Sequence, residues 1–246
     1  FHQLAGADLG IVEPLHLGAE GHGGLDRHAW VERGIAVLEH HLHALAQLLQ
    51  HHLLQDISIY AITSAVLNTD RSINISNRRV LHSFRHNARP VDRRTYKERE
   101  DFQIDLATFV GVLVAHHTIT KIGLPMKDLF IYSDDFEYSL RIRRHGGKII
   151  NVSKSKIEHV SAQVRHKPAL TAPLSWRSYY MRRNLLYTYR KYNLFGITSY
   201  IRLFFTVAKS QIVILLLRRQ KFHSTKILWS AIIHGLKGRL GKTIRP

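Results

Sequence analysis

The sequence predicts an α/β fold with a helical C-terminal extension, and three stretches carry that prediction. Residues 102–119, FQIDLATFVGVLVAHHTI, are apolar and rich in strand-forming side chains. Residues 134–147 have the charge pattern of a short helix that stops at two glycines, and residues 148–152 return as an apolar strand. Residues 166–246 are basic and helical in pattern. A chain of 246 residues, 45% of them hydrophobic, can form one large domain with appendages.

Charge is distributed unevenly along the chain. Lys and Arg total 36 against 18 Asp and Glu, a formal net charge of +18, which predicts an anionic partner: nucleic acid, a membrane face or a phosphorylated substrate. Residues 1–55 hold two of the basic residues and six of the acidic ones, a net charge of −4. We therefore divide the chain into segments 1–55, 56–165 and 166–246. The lack of cysteine excludes disulfides, thiolate metal sites and cysteine nucleophiles.

The first segment is rich in histidine and leucine. Residues 1–29 predict loop or disorder, and residues 30–55 predict a helix from leucines at three- and four-residue intervals. The segment holds nine of the 18 histidines, but no acid or second cluster completes a metal site, so we interpret them as structural or adventitious. No basic stretch precedes an apolar run, so no signal peptide is predicted. The composition also suggests a misread frame of GC-rich DNA, a hypothesis that a single uninterrupted frame at the locus would refute.

The next residues alternate between apolar runs and polar connections. Residues 56–67 predict a strand or a short buried helix, and residues 68–72 predict a turn. Residues 73–100 are polar, with paired arginines and Pro90, and predict a long exposed loop. Residues 123–125 predict a second turn.

The stretch from residue 130 to residue 159 has the clearest local pattern. Asp134 is the predicted N-cap of a helix, and Glu137 completes a capping box. Gly146 or Gly147 is the predicted C-cap, after three arginines in the last turn. This helix would present Asp134 and Asp135 at the mouth of a sheet, where ligand sites of α/β proteins lie. From the pattern alone, a purely capping role for both acids is an equal alternative.

The C-terminal segment predicts helices at a membrane surface. Residues 175–196 predict one helix with alternating aromatics and arginines, which stops at Gly196. Residues 197–217 have an apolar stripe at helical spacing, but Arg202 and Lys209 interrupt a run that barely reaches the length needed to span a bilayer. We therefore predict an interfacial helix on anionic headgroups, with an ordinary core helix as the alternative. The stripe comprises Ile201, Phe204, Phe205, Ala208, Ile212, Leu215 and Leu216.

Four motifs in order carry a family resemblance: AVLNTDRSINISNRR, DLATFVGVLVAHHTITKIGLPMKDLFIYSDDFEYSLRIRRHGGKI, IEH and YYMRRN. Over residues 60–240 the chain resembles the C-terminal half of family 2 glycosyltransferases. It is most similar to bacterial rhamnosyl- and galactofuranosyltransferases of cell-wall or O-antigen polysaccharide synthesis. The resemblance implies an incomplete GT-A (Rossmann-like) fold, with a mixed, mostly parallel sheet between helices. It also implies a nucleotide-sugar donor, a saccharide or lipid-linked acceptor and a divalent metal, magnesium or manganese.

The resemblance also implies roles for individual residues. Inverting transfer needs a base near the acceptor hydroxyl, and a metal offsets charge on a diphosphate leaving group. Manganese accepts one imidazole beside oxygen ligands. The implied residues are Asp135 as base with Asp134 beside it, His159 as metal ligand, and Thr108, Phe109, Gly111 and Trp176 as acceptor-binding residues; nucleotide-binding residues are not assigned.

The chain also departs from the family. The family's N-terminal half carries the nucleotide pocket and an Asp-x-Asp motif, and this chain has no Asp-x-Asp. The expectation is a truncated or frame-damaged transferase, weak or inactive by itself, that is cytoplasmic and peripheral at the inner membrane face. Two alternatives are a nucleic-acid-binding module, suggested by tyrosines and arginines in residues 179–190, and a non-catalytic membrane-associated partner. The absence of a recognisable nucleic-acid-binding motif makes the first less favoured.

Overall fold

The computed structural model describes residues 47–48, 51–52, 55–81, 88–159, 171–193 and 197–244. The predictions for residues 1–46, most of the histidine tract among them, and for Gly196 lie outside this part of the chain. Residues 47, 48, 51, 52 and 55 are helical. His51 hydrogen-bonds Gln55 at 3.0 Å, and His52 lies 3.7 Å from Asp101.

The described residues form a mixed α/β structure, which confirms the predicted class. Its strands are β1 (Ile59–Leu67), β2 (Arg78–Leu81), β3 (Ala88–Pro90), β4 (Asp101–Ile104), β5 (Leu106–Ala107), β6 (Val112–Val114) and β7 (Lys148–Glu158). Its α-helices are α1 (Thr95–Glu98), α2 (His116–Ile122), α3 (Asp134–Arg144), α4 (Trp176–Lys191), α5 (Ile197–Leu217) and α6 (Lys221–Lys237).

The strands form two sheets. The larger has the order β4-β7-β1-β6, in which β1 and β7 are parallel and the two outer pairs are antiparallel. The smaller has the order β3-β2-β5 and is antiparallel. The mixed sheet is thus confirmed. The expectation of a mostly parallel sheet is wrong for the described strands, because β4 and β6 run against their neighbours.

The central strand β1 shows why its stretch is a strand and not a helix. Its sequence IYAITSAVL is buried along almost its whole length. Both faces of this strand therefore meet apolar layers, as a continuous apolar run predicts. On one face Tyr60 and Ala61 join a core that also holds Ile104, Tyr138 and Ile149.

Residues 73–81 and 88–100, the described part of this stretch, are not the long exposed loop that their polarity predicts. They include β2, β3 and α1, and they bury Asn77, Arg78, Val91 and Tyr96. Polarity misled because Arg78 is fully buried, with its guanidinium donating to backbone carbonyls. Both terminal nitrogens of Arg78 find carbonyl acceptors, which lets the side chain lie in the interior although its Nε has no partner among the described residues.

Helix α3 ends as predicted and begins differently. Asp134 is its first residue and not its cap; Ser133 precedes it with φ 64° and no side-chain capping bond. The Glu137 amide donates to the Ser133 carbonyl at 2.9 Å, so the capping box is wrong. At the other end Gly146 has φ +74° and its amide donates to the Arg143 carbonyl, the left-handed termination that was predicted.

The C-terminal helices form a second core. Helix α4 packs on α6, and Ile214 of α5 is buried with them while Leu203 and Val207 pack alongside. The core-helix alternative therefore holds for one face of α5, and the predicted apolar stripe faces outward. None of the helices described is long and apolar enough to cross a membrane.

Candidate active site

The first turn of α3 lies against β5. The Ser139 hydroxyl donates to the Asp135 carbonyl at 2.8 Å and accepts from the Ala107 amide at 3.2 Å. Because α3 leads back into β7 through a tight turn, its N-terminus lies toward the carboxyl end of the parallel strands β1 and β7. Ser139 thus holds the first turn of α3, and with it the acid pair, near the end of β5, which Thr108 directly follows.

The Asp135 carboxylate is half-buried and has no cationic partner at bonding distance in the described part of the chain. Its Oδ1 atom accepts from the Phe136 amide at 2.7 Å. Burial raises the pKa of Asp135 to about 6; the Asp134 carboxylate adds to the rise, while the Phe136 amide and the Arg79 charge oppose it. The carboxyl is therefore mostly ionised at pH 7, and its pKa lies close to the value that suits a general base there.

Residues 108–111, here called the 108–111 loop, form a turn that directly follows β5. The Thr108 hydroxyl donates to the Asn77 side-chain oxygen at 2.7 Å. Phe109 is exposed and meets the Tyr138 ring edge-on at 6.1 Å. Gly111 has φ +61°, and a Cβ there would lie 2.8 Å from Ile157 in β7, so both its backbone conformation and its packing require glycine.

Arg78 lies beneath the 108–111 loop, fully buried and surrounded by backbone oxygens. Its guanidinium donates at 2.6 Å to Val110 and at 2.8 Å to Ser64. The remaining acceptors are the carbonyls of Asn77, Thr108 and Gly111. Burial lowers the pKa of Arg78 to about 10, so the group stays cationic at neutral pH. A single buried cation thus joins the loop to β1 and β2.

The turn that leads into the acid pair is strained. Phe130, Tyr132 and Ser133 have φ of 66°, 66° and 64°, the left-handed region that residues other than glycine seldom adopt. Strain of this kind persists only where surrounding contacts enforce it, and it concentrates at functional sites. Here it sets the direction in which α3 starts, and so the position of Asp134 and Asp135.

Two neighbouring residues of α4 hold this turn. Asn184 is fully buried, and its amide nitrogen lies within 2.7–2.8 Å of three backbone oxygens. Those oxygens belong to Leu129, Ile131 and Tyr132. Arg183 also donates to the Leu129 oxygen, at 3.1 Å. The C-terminal helices therefore position the candidate site.

Glu137 differs from Asp135 although both lie on α3. It is fully buried and accepts from Arg141 at 2.7 Å, Lys191 at 2.8 Å and Tyr192 at 2.5 Å. Burial alone would raise its pKa, but these hydrogen bonds outweigh burial and hold the pKa of Glu137 below its usual value. The residue predicted to complete a capping box instead joins α3 to the C-terminal helices.

The two remaining predicted residues lie apart from Asp135. His159 is exposed just after β7, with its amide bonded to the Leu67 carbonyl at 3.0 Å. Trp176 is half-buried against Tyr180, with ring centroids 6.2 Å apart, in the core of the C-terminal helices. No group of three His, Asp or Glu side chains forms within the described ranges. The metal role of His159 and the acceptor role of Trp176 remain predictions.

Comparison of the sequence with known families and curated proteins finds no significant match. The resemblance to family 2 glycosyltransferases therefore depends on the order of motifs along the sequence.

Sequence reasoning missed three residues around the site: Arg78, Glu137 and Asn184. Arg78 was assigned to an exposed loop because charged side chains are usually exposed. Glu137 was assigned to a capping box because it follows Asp134 by three residues. Asn184 gave a usable signal, since asparagine inside a helix is unfavourable unless its side chain has a specific partner. The polar residues in YYMRRN are therefore explained by the carbonyls of the turn before α3.

Proposed function

We propose that this chain takes part in inverting glycosyl transfer, with Asp135 as the base that activates the acceptor hydroxyl. The observation that supports this most is the Asp135 carboxylate itself. It is half-buried, burial raises its pKa to about 6, and it lies in the turn of α3 that Ser139 joins to the end of β5. A partly buried acid without a charge partner is costly to the fold, and groups whose pKa is shifted in this way concentrate at functional sites.

The proposed reaction needs one proton acceptor beside the attacking hydroxyl of the acceptor. The acceptor oxygen forms a bond to the anomeric carbon while the bond from that carbon to the nucleoside diphosphate breaks. The electron pair of the broken bond goes to the diphosphate oxygen, and the acceptor proton goes to Asp135. The exposed Phe109 ring offers an apolar surface for a saccharide or lipid-linked acceptor.

The resemblance implies a divalent metal, and the proposed proton transfer to Asp135 does not require one. The described residues do not gather a set of metal ligands, and His159 is exposed at a strand end. Magnesium or manganese, and the nucleotide-sugar donor, therefore stay expectations of the resemblance.

Nucleoside diphosphate release from a panel of nucleotide-sugars, with and without saccharide acceptors, tests the proposal. We expect weak, acceptor-dependent release. Asp135→Asn should lower it by about 10²–10⁴-fold, the usual contribution of a general base. Asp128→Asn, at an exposed aspartate before α3, is the matched control and should leave the rate unchanged. Release that persists in Asp135→Asn would contradict the proposal, and no release from any donor would favour the non-catalytic alternative.

The nucleic-acid alternative gains no support from α4. Tyr179, Tyr180 and Arg183, central to its tyrosine–arginine pattern, have no exposed surface. Buried rings cannot stack on bases, which is how such patterns bind single strands. The pattern is instead explained by packing and by the hydrogen bonds to the turn before α3.

A further inference from the structure

Helices α5 and α6 expose a large apolar surface, here called the α5/α6 face. Phe222, Leu216 and Phe204 are 95%, 73% and 68% exposed. On α5 the members recur at three- and four-residue spacing, so they share one side of the helix. The face comprises Ile201, Phe204, Phe205, Ile212, Leu215, Leu216, Phe222, Trp229, Ile233 and Leu236.

The two helices contribute neighbouring parts of this face. The Trp229 indole donates to the Gln211 side-chain oxygen at 3.1 Å, and the Gln211 amide donates to Thr225 at 3.0 Å. These bonds join the edges of α5 and α6 along the outward side. Ile214, on another side of α5, is already buried in the helical core. The fold is therefore formed without covering the α5/α6 face by any described residue.

The charge around this face has one sign. Residues 159–246 contain no Asp or Glu and 17 Lys or Arg. Among the residues that the structure describes, the one ion pair made by a cation of this region joins Lys191 to Glu137. Five exposed cations lie on or between the two helices and have no acidic partner among the described residues: Lys209, Arg219, Lys221, Lys226 and Lys237.

We propose that the α5/α6 face lies on an anionic phospholipid bilayer, with its aromatic and aliphatic side chains in the headgroup boundary and its lysines and arginines on lipid phosphates. An amphipathic surface with Trp and Phe on one side and cations beside them has this chemistry. A second copy of the chain is a poorer occupant, because pairing two such faces would bring like charges together without a carboxylate between them. The proposal is independent of sugar transfer.

Vesicle co-sedimentation of the full chain tests this proposal. We expect binding to phosphatidylcholine vesicles that contain about one third phosphatidylglycerol, weaker binding at high salt, and little binding to phosphatidylcholine alone. The combined variant Phe204→Ser, Phe205→Ser and Leu216→Ser should bind at least about tenfold more weakly. Ile57→Ser, at an equally exposed apolar residue outside the face, is the matched control and should bind as the parent does.

Charge is tested separately with Lys221→Glu and Lys226→Glu, which keep the apolar side chains. Because all five substituted positions are exposed, unchanged circular dichroism is expected in both variants. Equal binding to neutral and anionic vesicles would overturn the proposal. So would binding that the serine variant leaves intact, or a dimer in solution that the serine variant dissociates, since the occupant would then be a second copy.

Discussion

The sheet region, residues 59–158, and the helical region, residues 176–237, differ in two respects. They differ in whether basic side chains have acidic partners and in whether large apolar side chains are buried. In the sheet region lysines and arginines meet acids, as in Arg143–Asp105 and Lys154–Glu100. Most of its large apolar side chains are buried, whereas the helical region exposes the α5/α6 face and has no acid of its own.

The two regions thus differ at their surfaces, but buried hydrogen bonds join them at one junction. Glu137 of the sheet region receives Lys191 and Tyr192, and Asn184 of the helical region holds the turn before α3. Changes at this junction should therefore affect both regions. Changes on the α5/α6 face should leave the stability of both regions unchanged. A change at Asp135 should lower activity without lowering stability.

The largest effect is expected from Asn184→Leu at the junction. The substitution removes the donor to three backbone oxygens, two of which have no other described side-chain donor. Buried groups left unsatisfied cost about 1–3 kcal/mol each, so the free energy of unfolding should fall by about 4 kcal/mol. Urea denaturation measures it, with the exposed neighbour Leu185→Ala as control. A loss below about 1 kcal/mol would show that the turn keeps its conformation without Asn184.

Glu137→Gln should come next, at about 3 kcal/mol, because it leaves Lys191 and the partly buried Arg141 without their carboxylate. The pKa of Glu137 is lowered in the folded chain, so its contribution is complete above the ordinary value of 4.5 and is lost as pH falls through the folded pKa. The parent should lose stability in this acid range more steeply than the variant. Denaturation at several pH values measures this, and parallel pH curves would contradict it.

Asp135→Asn should act in the opposite direction and raise stability by about 2 kcal/mol at pH 8. The folded pKa is about 6 against an ordinary 3.8, so the parent loses stability as pH rises through this interval, and asparagine does not. Below pH 3.8 the two chains should be equally stable. Thermal unfolding at both pH extremes measures the difference. A variant that is less stable at pH 8 would mean that Asp135 serves the fold and not a reaction.

The smallest effect is expected from Phe204→Ser with Phe205→Ser on the α5/α6 face. Both side chains are mostly exposed in the folded chain, so the free energy of unfolding should change by less than about 0.5 kcal/mol per residue. Chemical denaturation without lipid measures it. A loss of about 2 kcal/mol or more would show that the face is covered in the free chain and would remove the contrast between the regions.

The sequence predicted elements well where local pattern decides them. The glycine stop of α3 and the helices α4 and α5 follow from apolar spacing and glycine chemistry. For the stretch that forms β1 the pattern left a strand and a short buried helix open. It failed where a charged residue satisfies its bonds through distant chain segments, as Arg78 does with Ser64 and Val110. The resemblance implied roles for Asp135 and Thr108, but the pattern gave no distance between them. The raised pKa of Asp135 was not predicted either, because burial is set by packing between helix and sheet.

Burial of Arg78 beneath the 108–111 loop affects how tightly an acceptor would bind there. Its guanidinium joins the 108–111 loop to β1 and β2, and the glycine at position 111 packs directly on β7. A loop held in this way has already lost its conformational entropy when the chain folds. A ligand that docks against Phe109 would therefore meet a preorganised surface, and its affinity would not be reduced by the cost of ordering that surface.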